Sequence, residues 1–211
     1  GLGWFLNDVK GYKQVQHSGG LAGIVTLITL IPELKLGIIV LTNQQSGAAF
    51  NAVTNSIKDG YLGIKGNDWV KIQLDASQQA QKEAEQIKGE VDKLVASGQK
   101  TGSPLIPAQI MGTYTDKWFG DVVIWEKDSK LWLMSVRSPR LKGELLAYKG
   151  SSFIVKWNDR SFDADAFVRF ATDTDGNATG MKMEAISPLT DFSYDFQDLD
   201  FTRKADVKTG K

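Results

Sequence analysis

LAGIVTLITLIPELKLGIIVLTN, from Leu21 to Asn43, decides how the first part of this chain is read. The apolar run Leu21 to Ile31 is too short to span a bilayer, and Pro32-Glu33-Leu34-Lys35 interrupts it before a second run begins at Leu36. Two paired strands, Ala22 to Ile31 and Leu36 to Thr42, account for the pattern. Both are continuously apolar and β-branched, as expected of strands covered on both faces. Upstream, Leu2 to Leu6 and Tyr12 to His17 read as two more strands; downstream, Gly47 to Tyr61 reads as a helix.

The whole composition sets outer limits. A chain of 211 residues with 42% hydrophobic content can bury a substantial core in one large or two small domains. Lys+Arg and Asp+Glu both number 25, so no overall charge draws the chain to nucleic acid or an anionic membrane. The absence of cysteine removes disulfides, thiolate metal sites and cysteine nucleophiles together. The chain opens on GLGWFL, which reads as the inside of a strand, so an N-terminus cut by processing or design is expected.

Past the first region, DASQQAQKEAEQIKGEVDKLVA, from Asp75 to Ala96, is helical. Asp75 is placed to cap it, and Ala80, Ala84, Ile87, Val91 and Leu94 recur at helical spacing. The stripe is thin and the rest is Gln, Glu and Lys, which describes a solvated connector ending in the linker SGQKTGSPLIP. From about Ala108 to Lys204 short alternating segments are separated by turn signals such as Lys127-Asp128-Ser129 and Asp175-Gly176-Asn177. About eight short strands in so few residues predict a small antiparallel barrel or sandwich.

His17 is the single histidine, and it precedes Ser18, Gly19 and Gly20 at the end of the expected second strand. Side chains alternate along a strand, so His17 and Gly19 share one face while Gln16 and Ser18 share the other. Paired glycines there let a backbone N–H approach a ligand closely. Read locally, a capped strand end, with His17 satisfying nearby backbone, is the favoured account.

His17-Ser18-Gly19 resembles the third motif, Lys-Thr-Gly or His-x-Gly, of the serine beta-lactamase and penicillin-binding-protein superfamily. Gly1-Leu2-Gly3-Trp4 resembles the strand before that motif, and HSGGLAG resembles the histidine-containing, class-C-like branch. The two apolar strands and GAAFNAVTNSIKDGYLG follow in that branch's order. The resemblance implies that His17 belongs to a hydrogen-bonding wall around a nucleophile and substrate. It also implies that Gly20 offers a backbone N–H to the oxyanion of a tetrahedral intermediate, where preorganised donors stabilise developing charge.

The departure is equally informative. No Ser-x-x-Lys occurs anywhere in the sequence, and Tyr194-Asp195-Phe196 does not match the second motif, Tyr-x-Asn. A serine without its base is not activated, so the chain by itself is expected to be inactive. Two literal Lys-Thr-Gly strings, at 100–102 and 208–210, follow no expected strand and are read as chance.

MGTYTDKW and the closing DLDFTRK resemble a lipocalin-like domain of unknown function that accompanies class-C-like beta-lactamase homologues. Inward aromatics of such a barrel fill its core; an apolar ligand held at the mouth is the alternative. DTDGNATG, 173–180, brings oxygen ligands together, but its glycine spacing does not match a calcium loop and a hairpin turn is expected.

The combined expectation is an α+β chain. Residues 1–66 are the C-terminal strands and helix of a beta-lactamase-like α/β domain, 67–107 a helical linker, and 108–211 a lipocalin-like barrel. The function expected is that of the C-terminal region of a serine hydrolase acting on an ester, amide or peptide-like substrate; the alternative is a non-catalytic binding module. No cofactor, metal or nucleic acid is called for. Association into a homo-oligomer through apolar strands 22–42, an apolar ligand in the barrel, and a periplasmic or exported location in bacteria complete the expectations, the last from resemblance alone.

Overall fold

The computed structural model describes residues 2–21, 23–101 and 105–205, with the side chains of 98–101 and 192 left aside. The chain divides into two compact units, Gly1–Gln81 and Lys82–Lys211. Its class is α+β: a four-stranded sheet with helices, and a closed eight-stranded antiparallel barrel.

The sheet of the first unit is an antiparallel meander of β1 (Phe5–Val9), β2 (Tyr12–Leu21), β3 (Ile24–Ile31) and β4 (Leu36–Leu41). Its first strand begins later than the sequence suggests. Leu2 and Gly3 both adopt left-handed backbone, with φ of 54° and 85°, and so form a turn where a strand was expected. β2 in turn runs on past His17 to Leu21, because Gly19 and Gly20 stay paired with Thr26 and Val25. His17 is therefore inside a strand and not at its end. The β1–β2 hairpin turns on Lys10 and Gly11, both left-handed, as a two-residue turn between twisted strands requires.

Helix α1 (Gly47–Leu62) packs on one face of this sheet and ends at Gly63 in left-handed conformation. Beneath it lies a small core of Ile31, Leu36 and Ile38, joined by Val9, Tyr12, Leu34 and Val40. The continuous apolar pattern of β3 and β4 predicts two covered faces. Within this unit only the α1 face is covered, and alternate residues such as Ile39 and Leu41 stay exposed.

Helix α2 runs from Trp69 to Thr101, two turns earlier than expected. Asp68 is its cap, its carboxylate accepting the Lys71 N–H at 2.9 Å; Asp75 lies inside the helix and pairs with Lys71 at 2.6 Å. Nor is α2 solvated throughout. In the second unit Val91 and Val95 are buried against Ile154 and Ile186, with Leu146, Tyr148 and Phe167 at the margin. Lys88 pairs with Asp163 at 2.6 Å and Asp92 with Lys156 at 2.5 Å, so this half of the helix is bound to the barrel wall.

A single turn, α3 (Pro107–Ile110), leads into the barrel strands β5 (Gly112–Asp116), β6 (Gly120–Lys127), β7 (Lys130–Ser135), β8 (Lys142–Lys149), β9 (Ser152–Trp157), β10 (Ala166–Thr172), β11 (Ala178–Ala185) and β12 (Phe201–Arg203). Each pairs with its neighbour in sequence, and β12 closes the ring on β5 through Thr202 opposite Thr115. Alternate residues point inward, so Tyr114, Val122, Ile124, Leu133, Phe153, Phe201 and their neighbours fill the interior.

Candidate functional site

β2 is an inner strand for part of its length only. Phe5, the first residue of β1, faces Gln16; among the described residues, from His17 onward β2 has β3 alone as a strand partner. Backbone donors on the other edge of Ser18 to Leu21 are therefore open to a ligand, which is the property an oxyanion-binding N–H needs.

The strand alternation divides the four candidate residues between two faces. His17 lies opposite Ile28 on the face away from α1 and is exposed. Its imidazole stacks on Phe5 at 5.7 Å with 21° between planes and meets Trp4 edge-on at 6.2 Å. Aromatic neighbours on two sides limit where the ring can point. Gly19 shares this face, and an added Cβ there would meet Thr26 Oγ1 at 3.2 Å.

Ser18 points to the α1 face instead. It lines an open depression of about 400 Å³ with Gln16, Leu27, Phe50 and Asn51, bordered by Phe5. Among the described residues no hydrogen bond joins its hydroxyl to a base. Ser18 is thus not arranged as a nucleophile beside His17.

The same face carries a polar network that the reading of His17 passed over. Lys58 of α1 donates to Gln14 Oε1 at 3.0 Å, and Gln14 Nε2 donates to Asn7 Oδ1 at 3.1 Å and to Gln16 Oε1 at 2.8 Å. Gln14 is buried, so each bond replaces one otherwise lost to water. Burial pushes the Lys58 ammonium below its ordinary range, with Asp59 opposing the shift. The alternation Gln14, Gln16, Ser18 was the available signal: three polar residues on the strand face that meets a helix.

In the barrel, Phe153, Trp157 and Phe170 face inward and fill the core, while Trp157 Nε1 donates to the Ala164 carbonyl at 2.6 Å. Other aromatics lie outside it. Trp125 and Trp132 are cross-strand partners flanking the Lys142 ammonium at 5.4 and 5.2 Å. At one end of the barrel, Leu105, Ile106, Leu131, Leu145, Ala147 and Phe153 line an open mouth of about 330 Å³ with Glu126 and Lys130 among its lining.

Two sequence-marked segments are accounted for structurally. The carboxylate of Asp173 accepts the N–H groups of Asp175 at 3.0 Å and Asn177 at 2.8 Å, making 173–177 the β10–β11 hairpin turn, with 178–180 the start of β11. The closing Phe-x-Arg places Arg203 where its guanidinium donates to the carbonyls of Gln109 at 2.8 Å, Met111 at 2.6 Å and Ala178 at 3.2 Å. The strings at 100–102 and 208–210 fall on residues outside those described, save for the backbone of Lys100 and Thr101 at the end of α2. Among the described residues no group of three or more His, Asp or Glu is placed to hold a metal ion.

A family model described as a domain of unknown function, DUF3471, matches residues 97–203. No curated protein matches the chain. Two solved structures, described as "Crystal structure of SurE" and "Crystal structure of SurE with D-Leu", are similar to it at 13% identity and a TM-score of 0.37. The likeness covers 97% of this chain but 37% and 38% of those chains, so the chain spans less than two fifths of their length.

Proposed function

We propose a function from the premise that the chain belongs to the DUF3471 family, a domain family of unknown function: it is the C-terminal region of a serine hydrolase of the beta-lactamase and penicillin-binding-protein type. The longer protein would transfer an acyl group from an ester, amide or peptide-like substrate to its serine and then to water. The barrel is its lipocalin-like appendage, and a periplasmic or exported setting goes with this reading.

One observation carries it. His17 projects from β2 on the sheet face away from α1, at a length of strand whose far edge is open from His17 to Leu21. An imidazole hydrogen-bond donor beside an unpaired strand edge suits the wall of an acyl-transfer site. The nucleophile and its base would come from sequence outside this chain.

The test is a serine-reactive acylating probe used on two polypeptides. The present chain is expected to take up no label. A protein extended upstream, carrying Ser-x-x-Lys and then Tyr-x-Asn, is expected to be acylated and to turn over, and His17→Ala should lower its kcat/KM by about 10²-fold. Stoichiometric labelling of the present chain, or an upstream region without those motifs, overturns the reading.

The second reading, a non-catalytic binding module, draws on the apolar mouth of the barrel. It requires saturable binding of a small apolar probe at that mouth, abolished by Leu131→Glu; absence of binding removes it.

A further inference from the structure

Trp4 and Phe5 stand at the corner where β1 stops pairing with β2, and their rings flank the imidazole of His17. The left-handed turn at Leu2 and Gly3 comes immediately before them. Alternation puts Trp4 on the same side of the sheet as Leu6, and hence on the side of Val15 and His17. Phe5 belongs by register to the other side, with Gln16, and it borders the depression that Ser18 lines. Its ring nevertheless stacks on His17 at 5.7 Å, so it straddles the sheet edge, while Trp4 meets the same imidazole at 81° and 6.2 Å.

We infer that Trp4 and Phe5 are positioning residues, an aromatic bracket that holds the His17 ring beside the open edge of β2. The first support is geometric. One neighbour lies nearly parallel to the imidazole, at 21°, and the other nearly perpendicular. The stacked ring resists tilting of the imidazole plane, and the perpendicular ring resists its swinging sideways. The second support is where the two rings are not. Phe5 is 64% exposed and Trp4 38%, and neither joins the small core of Ile31, Leu36 and Ile38, so their contact with His17 is not a by-product of core packing. A histidine alone on an exposed strand position samples several rotamers, and that freedom must be given up when a ligand is bound. A bracket removes it beforehand, which is the preorganisation that a hydrogen-bonding wall requires.

The catalytic part of the inference rests on the hydrolase reading, because an oriented imidazole serves a reaction only where a nucleophile and substrate meet it. The structural part, that two aromatic rings set the orientation of His17, belongs to the present chain and is measured there.

His17 is the single histidine, so its ring protons give one isolated pair of nuclear magnetic resonance signals. In the present chain, at fixed pH, ring currents from Phe5 and Trp4 are expected to displace those signals from the positions of a free imidazole. Trp4→Ala should move them back toward those positions, and so should Phe5→Leu, which keeps apolar bulk and removes the ring; Phe5→Tyr should keep the displacement. Tyr61→Ala, on α1, is the control and should leave them unmoved, and circular dichroism should be unchanged in all four. In the protein extended upstream, Trp4→Ala and Phe5→Leu should each lower kcat by about 10-fold with KM little changed, and Phe5→Tyr should retain the wild-type rate. Signals indifferent to both ring-removing substitutions, or an unchanged kcat in an active extended protein, overturn the inference. An extended wild-type protein that is never acylated sinks the hydrolase reading and the catalytic part with it, while the signals decide separately whether the bracket holds His17.

Discussion

Asp116 has its carboxylate buried where β5 turns into β6, and burial alone would push it up. The N–H groups of Phe119, Asp200 and Trp118 outweigh that and hold it below the usual carboxylate range; Phe119 and Trp118 donate to one oxygen at 2.7 and 2.8 Å, Asp200 to the other at 2.9 Å. A carboxylate with a lowered folded pKa stabilises fully above its unfolded pKa of about 3.9 and loses that contribution as pH falls through the folded value. Asp116→Asn should therefore destabilise the barrel by about 1–3 kcal/mol at neutral pH, with the difference from wild type shrinking below about pH 4. Urea melts followed by tryptophan fluorescence at several pH values measure both. Arg203 works by donation alone. Its removal leaves the carbonyls of Gln109, Met111 and Ala178 short of a donor, and Arg203→Ala should cost about 2–3 kcal/mol in the same assay. Arg203→Lys should recover only part, because one ammonium cannot reproduce a planar fork. Gly112, with φ of 141°, has Arg203 Nε 3.2 Å from where a Cβ would sit, so a side chain at 112 would crowd the guanidinium that holds those carbonyls.

At the scale of elements, the barrel strands were legible because inward and outward residues alternate with little interruption. The start of α2 was not. Val70-Lys71-Ile72-Gln73-Leu74 alternates like a strand, and Asp75 resembles a cap as well as Asp68 does until the Lys71 N–H shows which is used. β1 was displaced for a different reason: nothing in its residue type announces a leucine in left-handed conformation at position 2. The position of His17 in its strand alternation was legible, whereas the polar network under α1 depends on Lys58 arriving from a distant helix. Docking of α2 is likewise a tertiary event. Val91→Ala with Val95→Ala should lower the stability of the barrel unit by about 3 kcal/mol, from roughly 0.8 kcal/mol per buried methylene equivalent. Lys88→Ala, which removes only an exposed ion pair, should cost under about 1 kcal/mol. Thermal unfolding by near-ultraviolet circular dichroism separates the two.

For the molecule as a whole, the family match begins at residue 97, whereas the second compact unit begins at Lys82. The intervening residues bury Ile154 and Ile186, so the match cuts through a packed core. A polypeptide of residues 82–211 should fold cooperatively by itself, while 97–211 should melt earlier and bind a hydrophobic dye; equal melting temperatures would show that α2 contributes nothing to the barrel. Ring closure has a consequence of another kind, in the timing of synthesis. β5 is among the first barrel strands to leave the ribosome, and its second partner, β12, is the last. Until residue 203 has emerged, the nascent barrel is an open meander with two unpaired edges and an aromatic lining in contact with water. The order in which the strands are made therefore turns a shape without edges into an assembly problem during translation, and a ribosome stalled before Phe201 would hand that unfinished sheet to chaperones or to its neighbours.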